Sequence, residues 1–405
     1  MGKLTVIDLF AGAGGISCGL EMVGFECLLG VDFDKVAMKT FAKNHPKART
    51  ISDDLRKISS DRIFKAVDNK KVDVVCGGPP CQGFSTVGPG DADDSRNHLF
   101  LEFVRIVKRT EPSYIIMENV TGLLARKNEN TLLAVMESFE NLGYHVSVRV
   151  LSAHHYGAPE RRRRTIFICN KYGVDNVFPE KKFKDNESEN SSLPPPRTVK
   201  WAFDNLIYFG NKSYNHEFDK AQIPNELERG RIRHIPEGKG VRYERDEKQY
   251  LPKELWFDVD WNVISEKRFR EAKLKRLSFS ECSPTINTSR TIYYHPHENR
   301  YLTAREAAAI QTFPADFEFF GTISQQWRQI GNAVPPVLAA AIGEAILQMH
   351  SNRDNMKIAS EKADINSIRR VAFNYGRDVS KGQKQRQCGM VGPIEFSREG
   401  LFNKR

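Results

Sequence analysis

Short apolar runs alternate with amphipathic segments through the first 170 residues of the chain. Strands are predicted at 4–10, 27–32, 72–76, 114–118, 145–151 and 165–169, and helices at 15–23, 34–44, 97–109 and 130–142. Strands that alternate with helices are typical of a parallel sheet covered on both faces. We therefore predict an α/β fold with a doubly wound, mainly parallel, Rossmann-like sheet.

The alternation ends near residue 170. Residues 181–197 are polar and include three consecutive prolines, and the next hundred residues mix basic, aromatic and turn residues without clear periodicity. Helical periodicity returns after Thr303, which forms a capping box with Glu306, and a last helix is predicted at 336–350. We predict a catalytic domain over 1–174, a smaller irregular domain over 175–300, a return to the first domain over 301–350 and a basic extension over 351–405.

Composition and charge narrow the class of protein. The chain has 405 residues, of which 40% are hydrophobic, so a large core is predicted. Its late apolar stretch is interrupted by Glu344, so no membrane segment is predicted. The start, Met-Gly-Lys-Leu-Thr-Val-Ile-Asp, meets a charge too soon for a signal peptide. Seven cysteines without a Cys-x-x-Cys pair favour a reducing cytoplasm and give no zinc motif.

The net charge of +10 is unevenly placed along the chain. Residues 181–300 carry +4 and residues 351–405 carry +6, while the remainder sums to zero. A solvated surface and a phosphate-facing groove both account for the first excess. The excess in residues 351–405 is explained either by contacts with phosphates, by an unstructured end that aids solubility, or by a segment that packs on the catalytic domain.

A glycine loop after the first strand predicts a cofactor site. Gly12 and Gly14 follow that strand, but Ser17 stands where a dinucleotide fingerprint needs a third glycine, which opposes a nicotinamide cofactor. Asp32 ends the second strand, 18 positions after Gly14, where a ribose-binding carboxylate is expected. These features together predict a cofactor that carries adenosine.

Cys81 follows the strand at 72–76 within Gly-Gly-Pro-Pro-Cys-Gln-Gly-Phe-Ser, residues 77–85. Open α/β sheets place their chemistry at this end of a strand. The prolines stiffen the approach, and the polar stretch 85–97 leaves the far side free to move. An isolated cysteine is ordinarily a small core residue, but this setting favours a nucleophile.

Five segments resemble the motifs of the cytosine-C5 DNA methyltransferases. They are Asp-Leu-Phe-Ala-Gly-Ala-Gly-Gly at 8–15, the Cys81 string, Glu-Asn-Val at 118–120, Tyr-Gly-Ala-Pro-Glu-Arg-Arg-Arg-Arg at 156–164 and Gln-Ile-Gly-Asn-Ala-Val-Pro-Pro at 329–336. The resemblance covers 4–170 and 301–350 in the family's order. It implies that 175–300 is the target-recognition domain.

The resemblance implies methyl transfer from S-adenosyl-L-methionine, with S-adenosyl-L-homocysteine as product, to C5 of a cytosine in duplex DNA. The Cys81 thiolate would add at C6, because C5 is a poor nucleophile while the ring is aromatic. Glu118 is implied as the acid at N3, with a pKa raised by burial, and Arg164 as the donor to O2 with Arg162 in support. Glu160 replaces the family's usual glutamine, which leaves the local hydrogen bonding open.

The implied cofactor contacts come from several segments. They are Phe10, Ala11, Gly12, Gly14 and Gly15 in the glycine loop, Asp32, Asp54, Leu55, Pro79, position 100 (Phe100 in this chain), Asn332 and Ala333. Phe10 is implied against the adenine and Asn332 nearest the cofactor, while Asp53 is as available as Asp54. No metal is expected, despite His154-His155 and His295-Pro296-His297, because transfer from a sulfonium needs none.

The resemblance also implies a setting. Without a regulatory domain before residue 4, a prokaryotic modification enzyme is expected, working as a monomer on double-stranded DNA in the cytoplasm at the nucleoid. It would flip its target base out of the helix. It is expected either as an orphan methylase or beside a restriction endonuclease that acts separately.

Three alternatives remain at this point. A tRNA cytosine-C5 methyltransferase shares the motifs, but the Cys-Phe-Thr tripeptide of the tRNA-directed members is missing from 175–300. A catalytically silent DNA-binding relative is opposed by the intact residues Cys81, Glu118, Arg164 and Asn332. An NAD-dependent dehydrogenase is opposed by Ser17.

Overall fold

A seven-stranded sheet forms the centre of the protein. The computed structural model describes residues 2–80, 95–125, 128–185, 189, 191–206, 214–356 and 358–359. The strands are β1 (Thr5–Leu9), β2 (Glu26–Asp32), β3 (Arg49–Ser52), β4 (Val74–Gly77), β5 (Tyr114–Val120), β6 (His145–Ser152) and β7 (Arg163–Asn170), in the order β3-β2-β1-β4-β5-β7-β6. Neighbours pair in parallel except that β7 runs antiparallel to β5 and β6. The predicted doubly wound, mainly parallel α/β fold is confirmed.

Helices cover both faces of this sheet. The α-helices in the described part of the chain are α1 (Gly15–Met22), α2 (Lys35–Asn44), α3 (Ser60–Ala66), α4 (Ser95–Thr110), α5 (Glu129–Glu140), α6 (Val199–Asp204), α7 (Phe218–Ala221), α8 (Glu226–Ile232), α9 (Glu244–Tyr250), α10 (Ala304–Ile310), α11 (Ile323–Asn332) and α12 (Pro336–Asn352). Of these, α1 to α5 and α12 pack against the sheet. Strand residues alternate between the faces, so that Ile7 joins the core formed with α3, α4 and α5, whereas Val6 joins the core formed with α1 and α12.

A separate apolar core lies between residues 223 and 301. Strands β8 (Val241–Tyr243) and β9 (Arg268–Lys273) form an antiparallel pair, and β10 (Lys275–Arg276) pairs with β11 (Tyr293–Tyr294). The core is built from side chains such as Ile232, Leu251 and Trp261. It falls within the interval predicted as the recognition domain, whereas α6 packs with α10 and α11. The domain boundaries themselves stay predictions.

Two capping boxes mark the helices that complete the fold. Thr303 and Glu306 cap α10 as predicted. Thr322 and Gln325 cap α11 in the same way. We did not predict α11 from its periodicity, and this second capping box is the signal that identifies its start.

In the described part of the chain, one helical stretch, 323–355, is long and apolar enough to cross a membrane by length and composition alone. Its apolar window is 67% buried inside the protein, and α12 supplies much of one core face. This burial is typical of a core helix. The extension beyond residue 359, Cys81 and the stretch up to residue 94 lie outside the described residues.

Candidate active site

A cavity of about 660 Å³ opens at the carboxyl ends of β1 and β4. The strand order reverses here, because β1 is followed in sequence by β2 on one side and adjoins β4 on the other. A crevice at such a reversal is where open α/β sheets bind ligands. Its wall is formed by residues at and just after the carboxyl ends of β1 to β5, by Leu99 of α4, by the second residue of β7, and by the end of α11 with the turn that follows it.

The glycine loop is fixed by Asp32 from the end of β2. The Gly12 amide donates to Asp32 Oδ2 at 2.9 Å, and the Asp34 amide donates to Oδ1 at 2.8 Å. Burial raises the pKa of Asp32. Phe10, at the start of the loop, has φ 60°, which is a strained backbone conformation for a bulky residue and is most often retained at functional sites.

Most of the predicted cofactor contacts lie on the cavity wall. These are Phe10, Ala11, Gly12, Gly15, Asp32, Asp54, Leu55, Pro79, Asn332 and Ala333. Asp53 lines the cavity as well, so the choice between Asp53 and Asp54 stays open.

Two predicted cofactor contacts need correction. Phe100 is fully buried in the core, and Leu99 lines the cavity instead, because consecutive helical side chains point about 100° apart. Gly14 lies behind the wall with φ 94°, and a Cβ there would be 2.3 Å from His45 Nε2. Gly14 therefore shapes the loop without forming its surface.

Sequence reasoning missed an aromatic side chain on the wall. Phe33 is 74% exposed and lines the cavity. It directly follows Asp32, and an exposed ring beside the carboxylate predicted to bind ribose could stack on an adenine. The signal that could have identified Phe33 is its position directly after a strand, where an aromatic side chain need not be buried in the core.

Glu118 and Arg164 form an ion pair across β5 and β7. Because β7 is antiparallel, its first residues meet the carboxyl end of β5, and the register opposes Glu118 to Ile166, two residues beyond Arg164 on the same face. Arg164 Nε donates to Glu118 Oε1 at 2.6 Å, and the two side chains are 13% and 14% exposed. Burial raises the pKa of Glu118, although the charges of Arg164 and Arg162 act to lower it.

The chain that leaves β4 passes directly over this carboxylate. A Cβ on Gly78 would lie 2.8 Å from Glu118 Oε2, so a glycine is needed for the two segments to approach. Asn119 Nδ2 donates to the Pro79 carbonyl at 2.9 Å and fixes the turn. Pro80, the residue before Cys81, also lies on the wall.

Arg162 does not reach the cavity. Its side chain is fully buried and donates to the Ile286 carbonyl at 3.0 Å and to the Gly331 carbonyl at 2.5 Å. In this structure Arg162 therefore links the loop before β7 to the segments that contain Ile286 and Gly331, and it does not line the cavity. Glu160, which replaces the family's usual glutamine, accepts a hydrogen bond at Oε1 from the Ile286 amide at 2.5 Å. This contact defines the local hydrogen bonding that the sequence left open.

His154, His155 and Asp185 bring three ligand-type atoms within 4.8 Å of one another, away from the cavity wall. Burial lowers the pKa of His154 to about 4. Lys181 Nζ lies 2.8 Å from Asp185 Oδ2, and Arg161 donates to the Asp185 carbonyl. The Lys181 ammonium thus already pairs with the carboxylate, and the expected absence of a metal stays a prediction.

The family is shown by comparison with known proteins. A family model described as C-5 cytosine-specific DNA methylase matches residues 4–348, so the chain belongs to this family. The predicted enzyme class, a DNA (cytosine-5-)-methyltransferase, is confirmed.

Curated relatives resemble the chain over most of its length. It is 36% identical over 354 residues to the Type II methyltransferase M1.HphI of Haemophilus parahaemolyticus, which covers 86% of this chain and 88% of the relative. It is 33% identical over 376 residues to the Type II methyltransferase M.DdeI of Desulfomicrobium norvegicum, covering 85% and 88%.

Solved structures share the fold. A crystal structure of a DNA modification methyltransferase encoded within a prophage (E. coli) matches with a TM-score of 0.63 at 25% identity, covering 86% of this chain and 100% of that chain. The DNMT2 mutant structure from Spodoptera frugiperda matches with a TM-score of 0.57 at 16% identity, covering 85% and 100%, and this likeness concerns the fold alone.

Proposed function

We propose that the protein transfers a methyl group from S-adenosyl-L-methionine to C5 of a cytosine flipped out of a specific duplex DNA sequence, through a covalent bond between Cys81 and C6. The observation that carries this proposal is the cavity at the β1 and β4 ends. It joins the glycine loop and Asp32 to the Glu118–Arg164 pair and to the turn that leads into Cys81.

The wall residues fit the proposed cofactor. Asp32 presents a carboxylate to ribose hydroxyls, and Phe33 presents an exposed ring to an adenine. Gly12 and Gly15 allow a ligand to approach the backbone at the start of α1, where the amide dipoles favour a carboxylate. When bound, the cofactor supplies an electrophilic methyl group on a sulfonium.

The chain's own residues divide the remaining chemistry. The Cys81 thiolate adds to C6, and the electron pair of the C5–C6 bond becomes available at C5 for methyl transfer. Glu118 donates a proton to N3, and Arg164 donates a hydrogen bond to O2, so both stabilise the charge that the addition pushes into the ring. A water molecule then accepts the C5 proton, the electron pair of that C–H bond re-forms the C5–C6 double bond, and the C6–S bond breaks with its electrons leaving on the Cys81 thiolate. N3 returns its proton to Glu118, which restores the site.

The first test is Cys81→Ser. A hydroxyl is too poor a nucleophile for the addition, so we expect methylation to fall to background while binding of DNA and cofactor persists. Cys282→Ser is the matched control, because Cys282 is a partly exposed thiol that does not line the cavity. Transfer of a labelled methyl group to plasmid DNA measures both, and normal turnover by the Cys81→Ser enzyme would disprove the covalent route.

A duplex with 5-fluorocytosine at the target gives the complementary test. Fluorine at C5 blocks the final elimination, so the enzyme should remain attached to the DNA after denaturation when cofactor is present. Bisulfite sequencing of DNA from expressing cells identifies that target. A tRNA substrate in the same trapping assay tests the RNA alternative, and an adduct with tRNA but not with the duplex would favour it.

The setting is part of the proposal. We expect the enzyme to act as a monomer on double-stranded DNA in the cytoplasm, beside the nucleoid. The relatives named as Type II methyltransferases support a place in a restriction-modification system, with a restriction endonuclease acting separately at the same sequence. Residues 175–300 are proposed to read the flanking bases.

A further inference from the structure

A second pair of opposite charges, Glu160 and Arg162, lies beside the Glu118–Arg164 pair. Both side chains are fully buried, and Arg162 Nη1 lies 3.6 Å from Glu160 Oε1. The pair belongs to the loop that enters β7, and neither side chain lines the cavity. The charge of Arg162 nevertheless acts on Glu118.

The buried pair joins three separate segments. Glu160 accepts a hydrogen bond from the Ile286 amide, and Arg162 donates to the carbonyls of Ile286 and Gly331. The backbone reinforces this junction, since the Ser283 amide donates to the Pro159 carbonyl at 2.8 Å. The end of the predicted recognition interval is thereby tied to the loop before Arg164 and to the residue preceding Asn332.

The partners of Glu160 favour its ionised form. Burial raises the pKa of Glu160, but the described polar groups beside its carboxylate act in the opposite direction, because the Ile286 amide donates a hydrogen bond to it and the Arg162 guanidinium lies 3.6 Å away. A glutamine, the family's usual residue, could accept the same amide hydrogen but would carry no charge. The charge of Arg162 is therefore matched in this chain by its own neighbour.

We propose that Glu160 is a positioning residue of the methyl-transfer site: its carboxylate holds Arg162 against Ile286 and Gly331 and cancels the charge of Arg162. Among the described side chains, Arg164 is then left as the cation that acts on Glu118. The inference rests on the proposed role of Glu118 as the acid at N3.

The consequence concerns the proton on Glu118. A nearby positive charge lowers the pKa of a carboxyl group, and apolar side chains on one side of Glu118, including Ile16, Val334 and Ile342, limit the water that can screen this charge. Glutamine at position 160 would leave the charge of Arg162 uncompensated and so make Glu118 release its proton at lower pH. The groups that face Glu118 in the described structure are Arg164, Arg162, Gly78 and these apolar side chains.

The experiment is the pH profile of kcat for Glu160→Gln at saturating DNA and cofactor. We expect the alkaline limb, where Glu118 loses its proton, to move to lower pH by about one unit, so that kcat above the limb falls about tenfold. Arg162→Gln removes the opposite charge and should move the limb to higher pH. Glu306→Gln is the matched control, because it breaks another buried pair, with Arg300 at 2.8 Å, whose residues do not line the cavity, and the limb should stay in place.

The outcomes separate this inference from the proposed function. A folded Glu160→Gln enzyme whose limb stays in place, or moves to higher pH, would overturn the role of Glu160. If Glu160→Gln does not fold, an unmoved limb in Arg162→Gln would overturn it equally. Glu118→Gln should abolish the limb, and a limb that persists in that variant, or a wild-type protein that does not methylate DNA, would instead refute the proposed function.

Discussion

Glu118 is held from two directions at once. Arg164 binds Oε1, while the missing side chain of Gly78 leaves the space that Oε2 occupies. The carboxylate thus has one oxygen engaged and the other toward the turn before Cys81. The role of general acid proposed for Glu118 needs this combination, because one oxygen must be fixed while the other presents its proton to the base.

We expect the main effect of Gly78→Ala to be a lower kcat, with a smaller effect on thermal stability. The new methyl group would lie 2.8 Å from Glu118 Oε2 and displace the carboxylate, and a shift of about 1 Å at a catalytic group can reduce the rate about 100-fold. Gly122→Ala is the control, because its nearest neighbour would be 4.0 Å from the added methyl group. Single-turnover methylation and thermal denaturation measure the two effects, and equal rates in both variants would contradict the expectation.

At the scale of elements, the direction of β7 decides whether the site exists. A parallel strand would place its first residues at the opposite edge of the sheet, far from the end of β5. The antiparallel pairing brings Arg164 to Glu118 instead. The family resemblance implied Glu118 and Arg164 at the same cytosine ring, but their ion pair was not predicted, because pairing between distant strands leaves no local signal.

Thr303, the N-cap residue of α10, also contacts a residue outside that helix. Thr303 Oγ1 accepts from the Glu306 amide at 3.2 Å and contacts His216 Nδ1 at 2.8 Å, so it links α10 to the predicted recognition interval. We expect Thr303→Ala to lower the free energy of unfolding by about 1–2 kcal/mol, whereas Thr303→Ser keeps the hydroxyl and most of the stability. Urea denaturation at equilibrium compares them, and identical midpoints for the alanine variant and wild type would rule out this role.

At the scale of the whole molecule, the sequence predicted the sheet, the order of the segments and most of the cavity wall. Its errors came from packing between distant segments. Gly14 was assigned to the cofactor because nothing local reveals His45 behind it, and position 100 was assigned one residue away from Leu99, which faces the cavity. Phe33 was missed because an exposed aromatic residue at a strand end has no periodicity.

Stability should depend on pH through Asp8, which is buried in β1 and accepts a hydrogen bond from Ser17 Oγ at 2.6 Å. Burial raises the pKa of Asp8 to about 6, from 3.8 in the unfolded chain. The folded state therefore keeps a proton that the unfolded state loses, and stability falls as pH rises from about 4 to about 6.

Asp8→Asn should remove this dependence and raise the free energy of unfolding at pH 7.5 by up to about 3 kcal/mol. Asp61→Asn, at an exposed position, is the control. Urea denaturation without cofactor from pH 5 to pH 8 measures the change, and a wild-type pH slope in the Asp8→Asn protein would contradict it.

Asn332 and Ala333 complete the cavity wall, and α12 covers part of one face of the sheet. All of these residues are synthesised long after β1. During synthesis on the ribosome, the strands and helices α3 to α5 emerge first and can pack early. The opposite face, where α1 packs with α12, stays partly open until residues 175–300 and α12 have followed. A message cut short before residue 332 therefore yields a chain that lacks part of the cavity wall and has a partly uncovered apolar sheet, and we expect quality control to remove such a chain.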